Sequence, residues 1–163
     1  MKKLVLIICI SLFTTTAIFS QENIFNKYSK TKGVTNVYIS KTMLSLIQDC
    51  DPMDQMLGLD SNDVNIDKDM LRNLENINIL ISENSQIVKD IETDFSQTVT
   101  DEKYQLFMKI DDEINDIEIY IIKNEDIIEN ILLKFKFNNN GQLIIISFTG
   151  KMTEQNLANL ITQ

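Results

Sequence analysis

Apolar and polar residues alternate along four segments of the C-terminal half of the chain. Tyr104, Leu106, Met108 and Ile110 alternate with polar neighbours, and the segments 117–121 and 131–137 repeat this pattern, with Lys134 and Lys136 opposite the apolar positions. A fourth segment, 143–148, is almost continuously apolar, which is typical of a central strand buried on both faces. Short polar turns separate the segments, and the last turn, Asn138 to Gly141, favours a hairpin. The pattern predicts an antiparallel meander with strands near 103–110, 115–123, 128–137 and 142–149.

The preceding half has the period of helices. Val88, Ile91, Phe95 and Val99 recur at spacings of three and four, which predicts a core-facing helix that begins at Asn84 or Ser85 and exposes Asp94. Shorter patterns predict helices around 24–28, 43–47, 70–74 and 154–161 and strands around 35–39 and 77–81. A helix-rich half followed by a strand-rich half indicates an α+β fold, with a mostly antiparallel sheet and helices packed on one face.

The first twenty residues have the layout of a secretory signal peptide. Lys2 and Lys3 precede an apolar run that extends to Phe13 and is followed by small and polar residues. The run is shorter than the ~20 residues of a membrane span. We expect cleavage after Ser20, which leaves one α+β domain over residues 21–163 in the periplasm or outside the cell, with no stable membrane span. A lipoprotein signal at Cys9 is the alternative, although Ile8 is larger than the residue such signals need.

The charge and composition restrict the classes of function. The full chain has a net charge of −9, and removal of two lysines with the signal peptide gives 13 − 24 = −11. This charge disfavours binding to nucleic acids and to anionic membrane surfaces. The absence of histidine excludes Ser-His and Cys-His catalysis and ordinary zinc sites. Four glycines in total leave little room for a phosphate-binding loop.

The acidic segment Asp49–Asp69 invites comparison with a calcium loop. Asp63, Asn65 and Asp67 match the first three ligand positions of an EF-hand, but Lys68 and Leu74 occupy the positions of the required glycine and glutamate. A helix start with an acidic first turn explains these carboxylates better. The sequence therefore identifies no calcium site here.

Sulfur-containing residues form a second cluster in the same segment. Cys50, Met53 and Met56 are spaced by three, and soft sulfur ligands select Cu(I). Methionines near a loop more often fill gaps in a core, and Asp49 and Asp51 disfavour a reactive Cys50 thiolate. We therefore assign no metal ligands to these residues.

Paired carboxylates recur at 111–113 and 125–126 and at Asp90 with Asp94. A glycosidase needs two carboxylates across a cleft, normally with stacking aromatic residues, whereas this chain has no tryptophan. Turn formation accounts for most of these acidic residues. The sequence consequently identifies no catalytic and no cofactor-binding residues.

Several motifs together resemble a known family. The most telling is Ser147-Phe-Thr-Gly150 near the end of the apolar run; the others are Phe25-x-x-Tyr28, Gly33-Val34, Val37-Tyr38-Ile39-Ser40-Lys41-x-Met43-x-x-Leu46, Leu71-x-x-Leu74, Ile77-x-Ile79-Leu80 and Leu157-x-x-Leu160. In these motifs the chain resembles the exported bacterial proteins grouped as domain-of-unknown-function family 4252. The resemblance covers about 24–161 and implies an exported single domain, with no established activity, cofactor or catalytic residues.

These observations favour a non-enzymatic envelope protein that binds a protein partner or a small apolar ligand. One alternative is a hydrolase that acts on an envelope glycan with carboxylates alone. A less favoured alternative is a carrier of Ca2+ or Cu(I). An exposed apolar patch would favour the binding protein, and a pocket with two carboxyl groups and aromatic walls would favour the hydrolase.

Overall fold

The computed structural model describes residues 23–49 and 68–161. Five helices and six strands follow one another in these residues: α1 (Ile24–Tyr28), β1 (Val34–Ser40), α2 (Lys41–Asp49), α3 (Lys68–Asn73), β2 (Leu74–Ser82), α4 (Ser85–Asp101), β3 (Gln105–Asp111), β4 (Asn115–Asn124), β5 (Ile127–Phe137), β6 (Leu143–Met152) and α5 (Glu154–Ile161).

The six strands form one antiparallel sheet in the order β1-β2-β6-β5-β4-β3. The α+β class and the C-terminal meander are therefore confirmed, and each strand of the meander lies within three residues of its predicted bounds. The apolar run becomes β6, which lies between β2 and β5 in the interior of the sheet. The β2–β6 pairing joins the antiparallel β1–β2 pair to the meander.

Helices cover both faces of this sheet, which corrects the expectation that they pack on one face. On one face, called the α4 face, α1 and α4 cover a buried cluster that includes Leu80, Leu132 and Ile145. On the opposite face, called the α5 face, residues of α2, α3 and α5 pack against Ile131 and Leu133. Leu132 and its two neighbours are all buried because successive side chains of β5 enter different cores.

The helix α4 forms as its periodicity predicts. The side chain of Asn84 accepts hydrogen bonds from the backbone N–H groups of Gln86 and Ile87 and so caps the helix. Val88, Ile91 and Phe95 are buried against the sheet, in agreement with the predicted stripe.

Asp94 of α4 is less exposed than the sequence pattern predicts. Its carboxylate lies 2.6 Å from Lys27 Nζ and accepts a 2.6 Å hydrogen bond from the Tyr28 hydroxyl. Burial disfavours the ionised carboxylate, but the hydrogen bonds from Lys27 and Tyr28 prevail and lower the pKa of Asp94. Asp94 therefore ties α4 to α1 and is not a freely solvated position.

Several sequence predictions concern residues outside the described ranges. These are the signal peptide with its cleavage after Ser20, the alternative at Cys9, the calcium candidates at 63–67, and the sulfur cluster at Cys50, Met53 and Met56. None of the helices that the structure describes is long and apolar enough to cross a membrane.

Candidate interaction surface

Strand β3 lies at an edge of the sheet and pairs only with β4 among the described residues. In an antiparallel pair, alternate backbone N–H and C=O groups point towards the neighbour and the others point away. The outer side of β3 therefore presents backbone groups that pair with no described strand and that a further strand is able to bind.

Apolar side chains accompany these free backbone groups. Leu106 is 56% exposed, Phe107 is 47% exposed and Ile110 is 41% exposed. Ile114, in the turn after β3, is 59% exposed. Half of the eight large apolar side chains that are exposed in the described part of the chain lie in this short segment. We call these four residues, Leu106, Phe107, Ile110 and Ile114, the β3 patch.

A β-bulge produces part of this exposure. Leu106 pairs with Tyr120 and Met108 pairs with Ile119, so Phe107 is the extra residue of the bulge. The bulge shifts the alternation, and Met108 is the β3 side chain that packs against the α5-face core. The alternation in the sequence placed Leu106, Met108 and Ile110 on one face of the strand. The bulge corrects this, since Leu106 lies on the α4 face and Met108 and Ile110 lie on the α5 face. In the sequence, the consecutive apolar residues Leu106 and Phe107 interrupt the alternation at the position of the bulge.

A partly buried ion-pair network supports β3 from the α4 face. Glu118 of β4 lies 3.0 Å from Lys134 Nζ of β5 and 3.6 Å from Lys109 Nζ of β3, and Lys109 also lies 3.7 Å from Asp111. Tyr120 donates a 3.0 Å hydrogen bond to the same carboxylate. Burial disfavours ionised Glu118, but its hydrogen bonds with Lys134 and Tyr120 prevail and lower its pKa. A free lysine on an edge strand opposes pairing with another strand. Because carboxylates bind its ammonium group, Lys109 opposes such pairing less than a free lysine would.

Acid titration of stability tests this network through Glu118→Gln. We expect the variant to lower the free energy of unfolding by about 1–2 kcal/mol at neutral pH, because the hydrogen bonds to the carboxylate are charge-assisted. The folded pKa of Glu118 lies below its ordinary value of 4.5, so its stabilisation is complete above that value and is lost as the pH falls through the folded pKa. Denaturant melts of both proteins between about pH 7 and pH 3 should therefore converge at the acid end.

The exposed Glu129 of β5 provides the matched control. Glu129→Gln should change the free energy of unfolding at neutral pH by less than about 0.5 kcal/mol. A difference between Glu118→Gln and the wild type that stays constant across the titration would contradict an ionised, paired Glu118.

The turn from β3 to β4 fixes the end of the patch. Asp112 Oδ1 accepts hydrogen bonds of 2.7 Å from the backbone N–H groups of both Ile114 and Asn115. These backbone hydrogen bonds lower the pKa of Asp112 and keep the exposed side chain charged. With Asp111 and Glu113 beside it, the turn places three consecutive carboxylates at one end of β3.

The opposite edge strand, β1, differs from β3 because helices border it. Asn36 of β1 donates a hydrogen bond to the backbone carbonyl of Phe25 in α1, and α2 follows directly from Ser40. Val37 and Tyr38 are the large apolar residues exposed on β1. The β3 patch is therefore the larger exposed apolar surface at a sheet edge.

A protein family matches most of the chain, including the whole sheet. The family described as Domain of unknown function (DUF4252) matches residues 28–160. The chain belongs to this family. The match spans every strand of the sheet, so the meander and its β3 edge lie within the matched domain. No curated protein matches the chain.

A cavity of about 510 Å3 lies at the side of the sheet opposite β3, where β1 begins and β2 ends. It is lined by Gly33, Val34, Thr35, Ile81, Ser82, Glu83 and Asn84. Glu83 is the one carboxylate in this lining, and the lining holds no aromatic side chain. The two carboxyl groups that a glycosidase needs are thus not brought together in this cavity.

The sequence identifies no catalytic, cofactor-binding or metal-binding residues, and in the described structure acidic residues of the pairs considered above have structural partners. Asp94 pairs with Lys27, and Asp112 caps its own turn. Within residues 23–49 and 68–161 no three acidic or cysteine side chains gather as a metal site would require. The β3 patch was missed because its residues are apolar strand residues that resemble core positions in the sequence.

Proposed function

We propose that this protein is an exported binding module that receives an extended segment of an envelope protein as an additional strand beside β3. The observation that carries the proposal is the coincidence of free backbone groups with exposed apolar side chains along one edge strand. Backbone hydrogen bonds would supply affinity, and pockets for alternate side chains would supply specificity. Export follows from the layout of residues 1–20 and is a premise of the proposal.

The surface also indicates the chemistry of the partner segment. Its apolar side chains should lie in both rows, because Leu106 pairs with Tyr120 on the α4 face whereas Ile110 pairs with Ile117 on the α5 face. One row should therefore pack beside Leu106 and the other beside Ile110. A lysine or arginine should lie at the end that reaches Asp111, Asp112 and Glu113. A strongly acidic segment would be repelled there, since the chain without its signal peptide has a net charge of −11.

Site-specific photo-crosslinking in intact cells tests the proposal. A photoreactive phenylalanine analogue at Phe107 should form a covalent adduct with one partner protein, and the additional substitution Ile110→Lys should abolish this adduct. The lysine adds a charge to the apolar edge but lies on an exposed strand, so the circular dichroism spectrum and the melting temperature should change little.

The matched control is the same photoreactive residue at Leu46 of α2, which is 59% exposed, close to the 56% of Leu106, but lies on a helix. The proposal requires an adduct from position 107 that position 46 does not give. Equal adducts from both positions, or none from position 107, would contradict it. An adduct formed only with a second copy of the chain would contradict an envelope partner and would show that the β3 edge mediates self-association.

A further inference from the structure

A second surface of the molecule lies on the α4 face, away from β3, beyond the buried cluster that residues of α1 and α4 form with the sheet. Cross-strand pairing places its residues in two adjacent rows: Tyr38, Asn78 and Ser147 form one row, and Asn76, Thr149 and Asn130 form the other. The next row along the strands begins with Asn36, which donates to the carbonyl of Phe25 and marks where α1 begins to cover the sheet. We call the six residues of the two rows the amide patch.

The amide patch contains amino acids that are uncommon in β-strands. Asparagine is depleted in β-strands, yet Asn76 and Asn78 lie in β2 and Asn130 lies in β5, both of which are interior strands. All three side chains project from the same face as Tyr38. Residues that contradict local propensity without a gain in packing are concentrated at functional sites.

Hydrogen bonds hold these side chains in fixed orientations. Asn78 Nδ2 donates a 3.0 Å hydrogen bond to Asn76 Oδ1, and Thr149 Oγ1 donates a 3.0 Å hydrogen bond to Asn130 Oδ1. The three asparagines and Thr149 are half-buried and Ser147 is buried, so the partly accessible polar groups of the patch are those of the asparagines and Thr149. The patch thus presents ordered amide and hydroxyl groups rather than mobile side chains.

The amide patch contains no ionisable group other than the phenol of Tyr38, in a protein with 39 Lys, Arg, Asp and Glu residues in total. A charged ligand would therefore find no counter-ion there. Tyr38, the member of the patch on β1, is 64% exposed, and its ring offers an apolar face with a polar tip. Neutral polar groups beside an aromatic face match a ligand that is uncharged, rich in hydroxyl groups and apolar on its ring faces.

We propose that the amide patch binds a neutral oligosaccharide. A sugar hydroxyl is both a donor and an acceptor, and an asparagine amide offers both functions at once. The four strands from β1 to β5 span about 14 Å, and the two rows are about 7 Å apart, which gives an elongated surface for a short glycan. The patch has no carboxylate, so the ligand is bound and not hydrolysed. This site is independent of the β3 patch, which lies at the far edge of the sheet.

Titration of the mature protein with defined sugars tests the proposal by NMR. The probes are cellohexaose, maltohexaose and the N-acetylated chitohexaose, and the signals followed are the side-chain amides of the asparagines. At least one probe should give saturable shifts in Asn76, Asn78 and Asn130 at sugar concentrations up to ~10 mM. Asn78→Ala and Asn130→Ala should each weaken this binding about tenfold or more, which corresponds to ~1.4 kcal/mol.

Two further variants separate binding from folding. Asn139→Ala changes an exposed asparagine of the β5–β6 turn and should leave the affinity unchanged. Tyr38→Phe should retain binding through the ring face, whereas Tyr38→Ala should weaken it. The backbone spectrum of each variant reports whether the sheet is intact. The proposal is overturned if none of the three probes gives saturable shifts, or if the shifts persist in the Asn78→Ala/Asn130→Ala double variant.

Discussion

Replacing Phe95 with alanine is expected to lower the free energy of unfolding by about 3–5 kcal/mol. The Phe95 side chain is 1% exposed and lies in the core between α4 and the sheet. Its ring meets the ring of Tyr120 edge-on, with centroids 5.7 Å apart, and Lys134 Nζ lies 5.3 Å from its centroid. The truncation therefore removes a large buried side chain, an aromatic pair and a cation–π contact from one site.

Gln97→Ala, two residues further along α4 on its exposed side, is the matched control. It should change the free energy of unfolding by less than about 0.5 kcal/mol, since a surface substitution to alanine keeps the helix. Urea melts of the two variants measure both values. Similar losses from Phe95→Ala and Gln97→Ala would show that α4 does not bury the face described above.

Gly150→Ala should lower the free energy of unfolding by about 3 kcal/mol, at the upper end of the usual cost of overpacking. Gly150 of β6 pairs with Leu74 at the start of β2. A β-carbon at this position would lie 2.7 Å from the Cα atom of Leu74 and would also clash with the backbone carbonyl oxygen of Asn73. Both obstacles are backbone atoms, so neither is able to move aside by changing a rotamer.

Gly141→Ala provides a comparison that isolates this clash. Gly141 adopts a φ of +71° in the β5–β6 turn, and a β-carbon there would meet nothing within 4 Å. Only the backbone preference is lost, which costs about 1–2 kcal/mol. Thermal or urea melts should rank Gly150→Ala as the more damaging variant. An equal or smaller effect would mean that the β2–β6 contact at Gly150 adjusts without cost.

Much of the fold could be predicted because the local patterns agree with the tertiary structure. The stripe of α4, the alternation in β4 and β5 and the apolar run of β6 predicted these elements to within a few residues. The prediction that helices pack on only one face of the sheet was wrong, and the positions of Lys134 and Lys136 show why. These lysines suggested a solvated face, but Lys134 pairs with Glu118 and Lys136 lies 2.8 Å from Glu92 of α4. Charged side chains that find partners beneath a helix have the same sequence pattern as charged side chains in water.

The candidate interaction surface could not be predicted for a different reason. The alternation of apolar residues in β3 is the same whether the strand lies at the centre or at the edge of a sheet. The edge position follows from the order of the strands, which depends on the distant pairing of β2 with β6. The amide patch depends on this pairing as well, since it aligns Asn76 with Thr149 and Asn78 with Ser147.

The β2–β6 pairing also has a consequence for how the chain reaches its native state. The other neighbouring strands of the meander are joined by short turns, so their contacts form between residues close in sequence. Strand β6 meets β2 only after the segment from Glu83 to Gln142 has closed into a loop. The loss of chain entropy in that closure makes this pairing the slowest long-range contact of the sheet to form. Gly150 lies at this junction, and its missing side chain lets the two halves of the molecule approach closely enough to join.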